Sequence, residues 1–271
     1  MAIGFNLSNK IGGGGADVYL DNVKIDASEV RLLTIANQVF NIRLVDLPFD
    51  FNNGSAVILN NELHILGGNA SSDYTKHYKF NFETSIWTEV STLPYDFAYG
   101  SAVVLNNEIH ILGGNRYGDS SLNTKHYKFN PTTSTWTSVS TLPRKFYNGS
   151  AVVLNNEIHI LGGYDIGSSV NSTKHYKFDG TTWTEVSTLP YNFHSGEAVV
   201  LNSEIHILGG GSNNHYKFNS TTWTNVSTLP DQFSNGSAVV FNNEIYIIGG
   251  SGHPRTFYNL KNINKVVESI T

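Results

Sequence analysis

The 271-residue sequence predicts an all-β protein built from repeated four-stranded sheets, and three observations predict it. The segment from Gly100 to Gly114 returns almost unchanged at Gly149, and with small changes at Gly54, Gly196 and Gly236. Glycine doublets begin at Gly67, Gly113, Gly162, Gly209 and Gly249, at steps of 46, 49, 47 and 40 residues, a period that suits a stacked or circular array of small sheets. Charged residues make up only 14% of the chain, against roughly 25% in an ordinary soluble domain, while Asn, Ser, Thr, Gly and aromatics are plentiful.

Each copy keeps one order of elements. An apolar run such as Ala102 to Leu105 comes first, followed by an Asn-rich turn and a second apolar run ending in Gly-Gly. A His-Tyr-Lys-Phe segment, then Trp-Thr and Leu-Pro, complete the copy, so four short strands follow per repeat. The first strand is apolar at consecutive positions and must be buried on both faces, as when one sheet packs on the next. The glycine doublet, the Tyr of the third strand and the Trp that follows it resemble the kelch repeat from about Leu47 to Gly250. That resemblance implies a kelch-type β-propeller.

The fifth copy has a third strand at Thr256 to Leu260 and then no Trp. Residues Gln38 to Asp46 precede Leu47-Pro48 as Trp87 to Thr92 precede Leu93-Pro94, and are read as the missing outer strand. The expectation is five four-stranded blades closed by an N-terminal strand, in a domain spanning 37–271. A sixth blade assembled from both termini is the alternative, because Ala16 to Ile25 reads as a small hairpin. Residues 1–36 carry no kelch feature and include Gly12 to Gly15, and are read as an arm that docks on other subunits of a larger assembly.

The net charge of −5 has no basic block behind it, so neither nucleic acid nor an anionic lipid surface has an electrostatic partner. The N-terminus lacks a basic stretch followed by an apolar one, and no apolar run reaches membrane-spanning length, so neither a secretory signal nor membrane insertion is expected. With no cysteine there is no disulfide and no thiolate ligand. The kelch family includes a radical copper oxidase with a Tyr-Cys cross-link, which this chain cannot form, and a sugar mutarotase. For the latter an Arg should converge with a Glu or Gln, and Glu197 is the carboxylate that is singular within its repeat slot. Gly12 to Gly15 lack the Gly-Lys-Ser/Thr of a phosphate loop.

Eight of the ten histidines recur at equivalent places, as do Glu62, Glu108, Glu157, Glu204 and Glu244 and the four tryptophans. Repetition assigns them to structure, and no catalytic residue, metal site or cofactor is expected. Spacing from Pro to Gly-Gly is always 19 residues, whereas the loop after Gly-Gly varies in length. Varying loops on a constant scaffold are where recognition resides. The second-to-third loops carry Tyr74, Arg116, Tyr117, Asp119, Tyr164, Asp165, His253 and Arg255; the fourth-to-first loops, on the same face, add Tyr95, Tyr99, Arg144, Tyr147, Tyr191 and His194. Tyr faces with polar tips suit a glycan or a polar protein epitope. The expected role is a non-enzymatic receptor-binding or structural protein of a phage tail or tail-like particle, located on a virion or extracellular particle. A cytoplasmic kelch adaptor and a sugar-active propeller enzyme are the alternatives.

Overall fold

The structure is a computed structural model that describes residues 18–20, 23–25, 31–35, 38–42, 45–68, 74–114, 124–165, 170–251 and 257–260. Four complete antiparallel sheets, each with its strands in sequence order, repeat along the chain. Blade 1 comprises Ser55–Leu59, Glu62–Leu66, His77–Asn81 and Ile86–Glu89. Blade 2 comprises Ser101–Leu105, Glu108–Leu112, Lys125–Asn130 and Thr135–Thr141. Blade 3 comprises Ser150–Leu154, Glu157–Leu161, Lys174–Phe178 and Trp183–Thr188. Blade 4 comprises Glu197–Leu201, Glu204–Leu208, Ser212–Phe218 and Trp223–Phe233. A fifth sheet has three strands, Ser237–Phe241, Glu244–Ile248 and Phe257–Asn259. The first strands of all five sheets line one central channel, a cavity of about 310 Å³ walled mainly by Ala and Val side chains. The fold is an all-β propeller.

The expected five complete blades are corrected to four. Gln38–Ile42, read from the sequence as the outer strand of the fifth copy, pairs with Arg31–Ile35 in a two-stranded sheet of its own. Residue pattern alone did not reveal this local partner, because the strand satisfies its hydrogen bonds with its immediate neighbour in sequence. A second hairpin pairs Val18–Leu20 with Val23–Ile25. Three of these strands fall within the segment expected as an arm.

Local chemistry dictates the blades. Leu105 pairs with Glu108 around Asn106 and Asn107, whose φ values of 52° and 62° are those of a type I′ hairpin turn, for which Asn is a preferred residue. Four hydrophobic clusters lie between successive blades. Val103, Leu105 and Leu112 of blade 2 meet Ile158, Ile160 and Phe178 of blade 3, with Leu142 and Phe146 of the connecting loop between them. Consecutive apolar residues in the inner strands are thereby covered on both faces, as the sequence demanded. On the outside, Lys79, Lys128, Lys177 and Lys217 pair with Glu62, Glu108, Glu157 and Glu204 at 2.8–2.9 Å. These pairs are partly exposed and are worth at most about 1 kcal/mol each.

Each interface also contains a polar chain. His110 Nδ1 lies 2.8 Å from His126 Nε2, His126 Nδ1 lies 3.0 Å from Ser140 Oγ, and Trp183 of the next blade donates its Nε1–H to that same Ser140 Oγ at 3.0 Å. The chain recurs as His64–His77–Ser91–Trp136 and His159–His175–Ser187–Trp223. In blade 4 it runs His206–His215–Ser227 and stops, because the fifth repeat has no Trp. Burial pushes His64, His110, His159 and His215 down to about 4 and His77, His126 and His175 to about 3, and it lowers His206 as well. The imidazoles are neutral linkers between blades.

Trp183 packs on Phe178 at 5.1 Å and on His126 of the preceding blade at 5.6 Å. Trp183→Ala should therefore lower stability by about 3 kcal/mol, and Trp183→Phe, which keeps most of the packing but loses the N–H donor and part of the ring, by a smaller amount of about 1–2 kcal/mol; urea melts of both variants check the ordering. The histidines make stability pH-dependent with a defined sign. Their native values lie below the free value of 6.5, so on acidification the unfolded chain takes up protons that the native state refuses. Stability is complete above about pH 6.5 and should fall toward pH 4 by up to about 1.4 kcal/mol per pH unit for each histidine. Melts at pH values from 8 to 4 test this, and a flat profile would place the imidazoles in solvent.

Candidate functional site

The loop face is built by two stitches per blade. The second glycine of each doublet donates its N–H to the Phe carbonyl in the loop entering the next blade: Gly68 to Phe97, Gly114 to Phe146, Gly163 to Phe193 and Gly210 to Phe233, at 2.7–2.9 Å. The approach leaves no room for a side chain, since a Cβ on Gly162 would meet Phe193 O at 2.0 Å and φ there is +61°. Second-to-third and fourth-to-first loops therefore share one face, as expected from the order of strands.

Around the channel mouth the same slot of each entering loop adopts a left-handed backbone: Asn53, Tyr99, Asn148, Ser195 and Asn235, with φ of 52–58°. Their backbones link in series, Tyr99 N–H donating to Asn53 O, Asn148 to Tyr99, Ser195 to Asn148 and Asn235 to Ser195, at 2.7–2.8 Å. These residues and the glycines after them border a recess of about 50 Å³ over the channel. Asn is enriched in this conformation and Ser is small, but Tyr is an unusual occupant. The Tyr99 ring lies against that of Tyr147 at 4.8 Å and 33°. Tyr147 O in turn accepts the N–H of Tyr164 at 2.6 Å, which ties the blade 3 loop and its Tyr164–Asp165/Val170–Asn171 hairpin to the mouth.

Of the residues expected to bind ligand, the structure brings Tyr99, Tyr147 and Tyr164 together, and His194 occupies the slot of Tyr147 in the next blade. His194 Nδ1 lies 3.4 Å from Ser195 Oγ. Tyr74 is half-buried at the end of the blade 1 loop, its carbonyl accepting from Phe97 N–H at 2.9 Å. Three others are placed otherwise. Tyr95 is 8% exposed and donates its hydroxyl to Gly113 O at 2.7 Å; burial drives its phenol well above the ordinary value. Arg144 Nη1 donates to Gly162 O at 2.7 Å and Tyr191 donates to Gly209 O at 2.8 Å; burial raises the Tyr191 phenol too. All three follow the Leu-Pro and cap the first glycine carbonyl of a doublet, so they fasten loops rather than face outward. Arg116, Tyr117, Asp119, His253 and Arg255 lie outside the described residues, as does the side chain of Asp165.

One residue at the mouth, Glu197, is singled out in the sequence only for a mutarotase-like role and not among the ligand-binding residues. Ser55 and Ser101 donate from Oγ to Gly100 O and Gly149 O of the next blade, and Ser150 Oγ accepts from Ala198 N–H. Glu197 occupies that slot in blade 4 and borders both the channel and the mouth recess. The signal was available, since Gly-Ser follows the left-handed residue in every copy except this one. Among the described residues, no three side chains of metal-ligating type converge, and no helix is long and apolar enough to cross a membrane.

A ring of sheets around a channel, with one loop-built face, defines a β-propeller. The profile of the KLHDC2/KLHL20/DRC7 Kelch-repeats domain matches residues 53–250, and the chain belongs to the kelch-repeat family. Among solved structures it resembles the structure of YjhT, with 18% identity and a TM-score of 0.72 over 82% of this chain and 84% of that one, a likeness of fold. A search of curated proteins returns no match.

Because their hydroxyls cap glycine carbonyls, Tyr95→Phe and Tyr191→Phe should each reduce unfolding free energy by about 1 kcal/mol while leaving partner binding unchanged. Chemical denaturation read beside a binding titration distinguishes this fastening role from a recognition role.

Proposed function

We propose that the protein is a non-enzymatic binding module whose partner docks on the loop face over the channel mouth. The observation that carries this reading is Tyr99. A left-handed, non-glycine backbone conformation costs roughly 1 kcal/mol or more, and in the other copies the slot holds Asn or Ser. A tyrosine retained there, with its ring against Tyr147, sets a flat aromatic surface beside the polar rim of Asn53, Asn148, Ser195 and Glu197. Such a surface stacks a sugar face or a peptide side chain while the rim supplies directional hydrogen bonds. Kelch-family membership supports a protein-binding or structural module.

The target we favour is a glycan or protein on a cell surface, bound by a subunit of a phage tail or tail-like particle. The same face serves a kelch adaptor with a soluble protein partner, a reading that the family match favours equally. A glycan array and a capture experiment with the same immobilised propeller decide between them.

Repeat-guided substitutions test the face without disturbing the fold. Tyr99→Asn installs the residue found at Asn53, Asn148 and Asn235, and Tyr147→Ser the residue found at Ser234. The double variant should keep its stability within about 0.5 kcal/mol and lose about 2 kcal/mol or more of binding. Asn107→Gly, in a turn at the other end of the strands, should leave binding intact. Undiminished binding in the double variant would move the site away from the mouth.

A further inference from the structure

Among the described residues, Glu197 is the one charged side chain that borders either the channel or the recess over it, and the one residue that borders both. It stands half-buried at the head of the inner strand Glu197–Leu201, two residues after the left-handed Ser195 of the rim. In the other four copies the slot holds Ser55, Ser101, Ser150 and Ser237. Ser55 and Ser101 give their hydroxyl protons to Gly100 O and Gly149 O of the next blade at 3.2 and 3.1 Å. The matching carbonyl for Glu197 is that of Gly236, and an ionised carboxylate has no proton to give it.

Acceptors therefore gather at this corner of the mouth. Asn235 is tied to Ser195 O by its backbone N–H at 2.7 Å and donates from Nδ2 to Ser251 Oγ at 3.2 Å, which leaves Oδ1 as an acceptor. The described side chains around the recess offer a carboxylate, amides and hydroxyls but no cation, in a chain of net charge −5. A positively charged group that only donates is the complement of such a corner. Size narrows the choice. The recess measures about 50 Å³, whereas a cavity that admits benzene measures about 150 Å³. A sugar or aromatic ring is too large to enter and stacks outside, on Tyr99 and Tyr147. A slender chain does fit. Lysine carries a compact ammonium with three donors on a four-carbon stem, while the guanidinium of arginine is a broader planar fork.

We propose that the recess takes a lysine side chain of the partner, with its ammonium at the Glu197 carboxylate and its stem crossing the rim. The assignment rests on the mouth as the binding face and names what the partner presents there. Below Glu197 the channel is walled mainly by Ala and Val and holds no second charged side chain among the described residues, so Glu197 sets the depth of insertion. Tyr99 borders the same recess and covers the methylenes of the stem. Glu197 selects for positive charge and repels an acidic partner. The Tyr99 and Tyr147 surface supplies contact area without regard to charge.

The full-length chain tests this by titration with acetyl-Gly-Lys-Gly-amide and, at matched ionic strength, with the same peptide carrying norleucine in place of lysine. The backbone amide resonances of Gly149, Gly196 and Ala198 report on the recess. The lysine peptide should shift them saturably and bind about tenfold more tightly than the norleucine peptide. Glu197→Ser, which installs the residue of the other copies, and Glu197→Gln should each remove that preference without lowering Tm. Equal binding of the two peptides by the unaltered protein overturns the proposal, and this comparison stands even if neither variant folds. A lysine preference that survives both Glu197 variants also overturns it, because the cation then lies elsewhere. Tyr99→Asn with Tyr147→Ser separates this proposal from the reading it rests on. A lysine preference retained in that double variant supports the Glu197 site and counts against the tyrosine surface. A glycan or protein ligand that is lost in the double variant but kept at full affinity in Glu197→Ser leaves the mouth as the binding face and overturns the lysine assignment.

Discussion

The hydrogen bond from the second glycine of each doublet to the phenylalanine carbonyl of the next entering loop is the joint on which the architecture turns. It fixes how closely one blade approaches the next, and that spacing sets which side chains fill the gap. A Cβ on Gly54, Gly100, Gly149 or Gly196 would lie 2.3–2.5 Å from the ring of the phenylalanine three residues before it. Each Phe ring is thus roofed by glycine, and Phe97, Phe146 and Phe193 are fully buried. The fixed distance from Pro to Gly-Gly follows, since both ends of that stretch are pinned.

Within an otherwise apolar interface, the His–His–Ser–Trp chain is the directional element. A buried polar chain is favourable only when every member is paired, and here the partners come from two successive blades. A register slip of one residue would move every imidazole to the opposite face of its sheet, leaving donors and acceptors unmatched. The network therefore enforces one register as well as adding stability, at the expense of acid tolerance.

The proposed function rests on the division between this pinned half and the loops beyond it. Blade-to-blade hydrogen bonds hold the backbone of the mouth, so in the proposed binding role Tyr99 and Tyr147 would be presented at little entropic cost. The residues that vary between copies, Glu197 among the serines and Tyr99 among Asn and Ser, mark where one copy departs from the others. Departures from an internal repeat play the part that conserved surface residues play in an ordinary comparison of relatives.

Periodicity carried the blade plan, the strand order, the buried inner strands and the structural standing of the histidines, because each depends on which residues recur and at what spacing. The shared loop face was legible for the same reason. Blade closure was not: Gln38–Ile42 suits any open edge, and the pairing with Arg31–Ile35 is a matter of proximity in space. Tyr95, Arg144 and Tyr191 read alike as polar loop residues, and only the fold shows their tips reaching back to Gly113, Gly162 and Gly209. A side chain that caps a carbonyl and one that waits for a ligand use the same donor atoms. Direction in three dimensions separates them, and a linear pattern with no blade-to-blade distance in it carries no such direction.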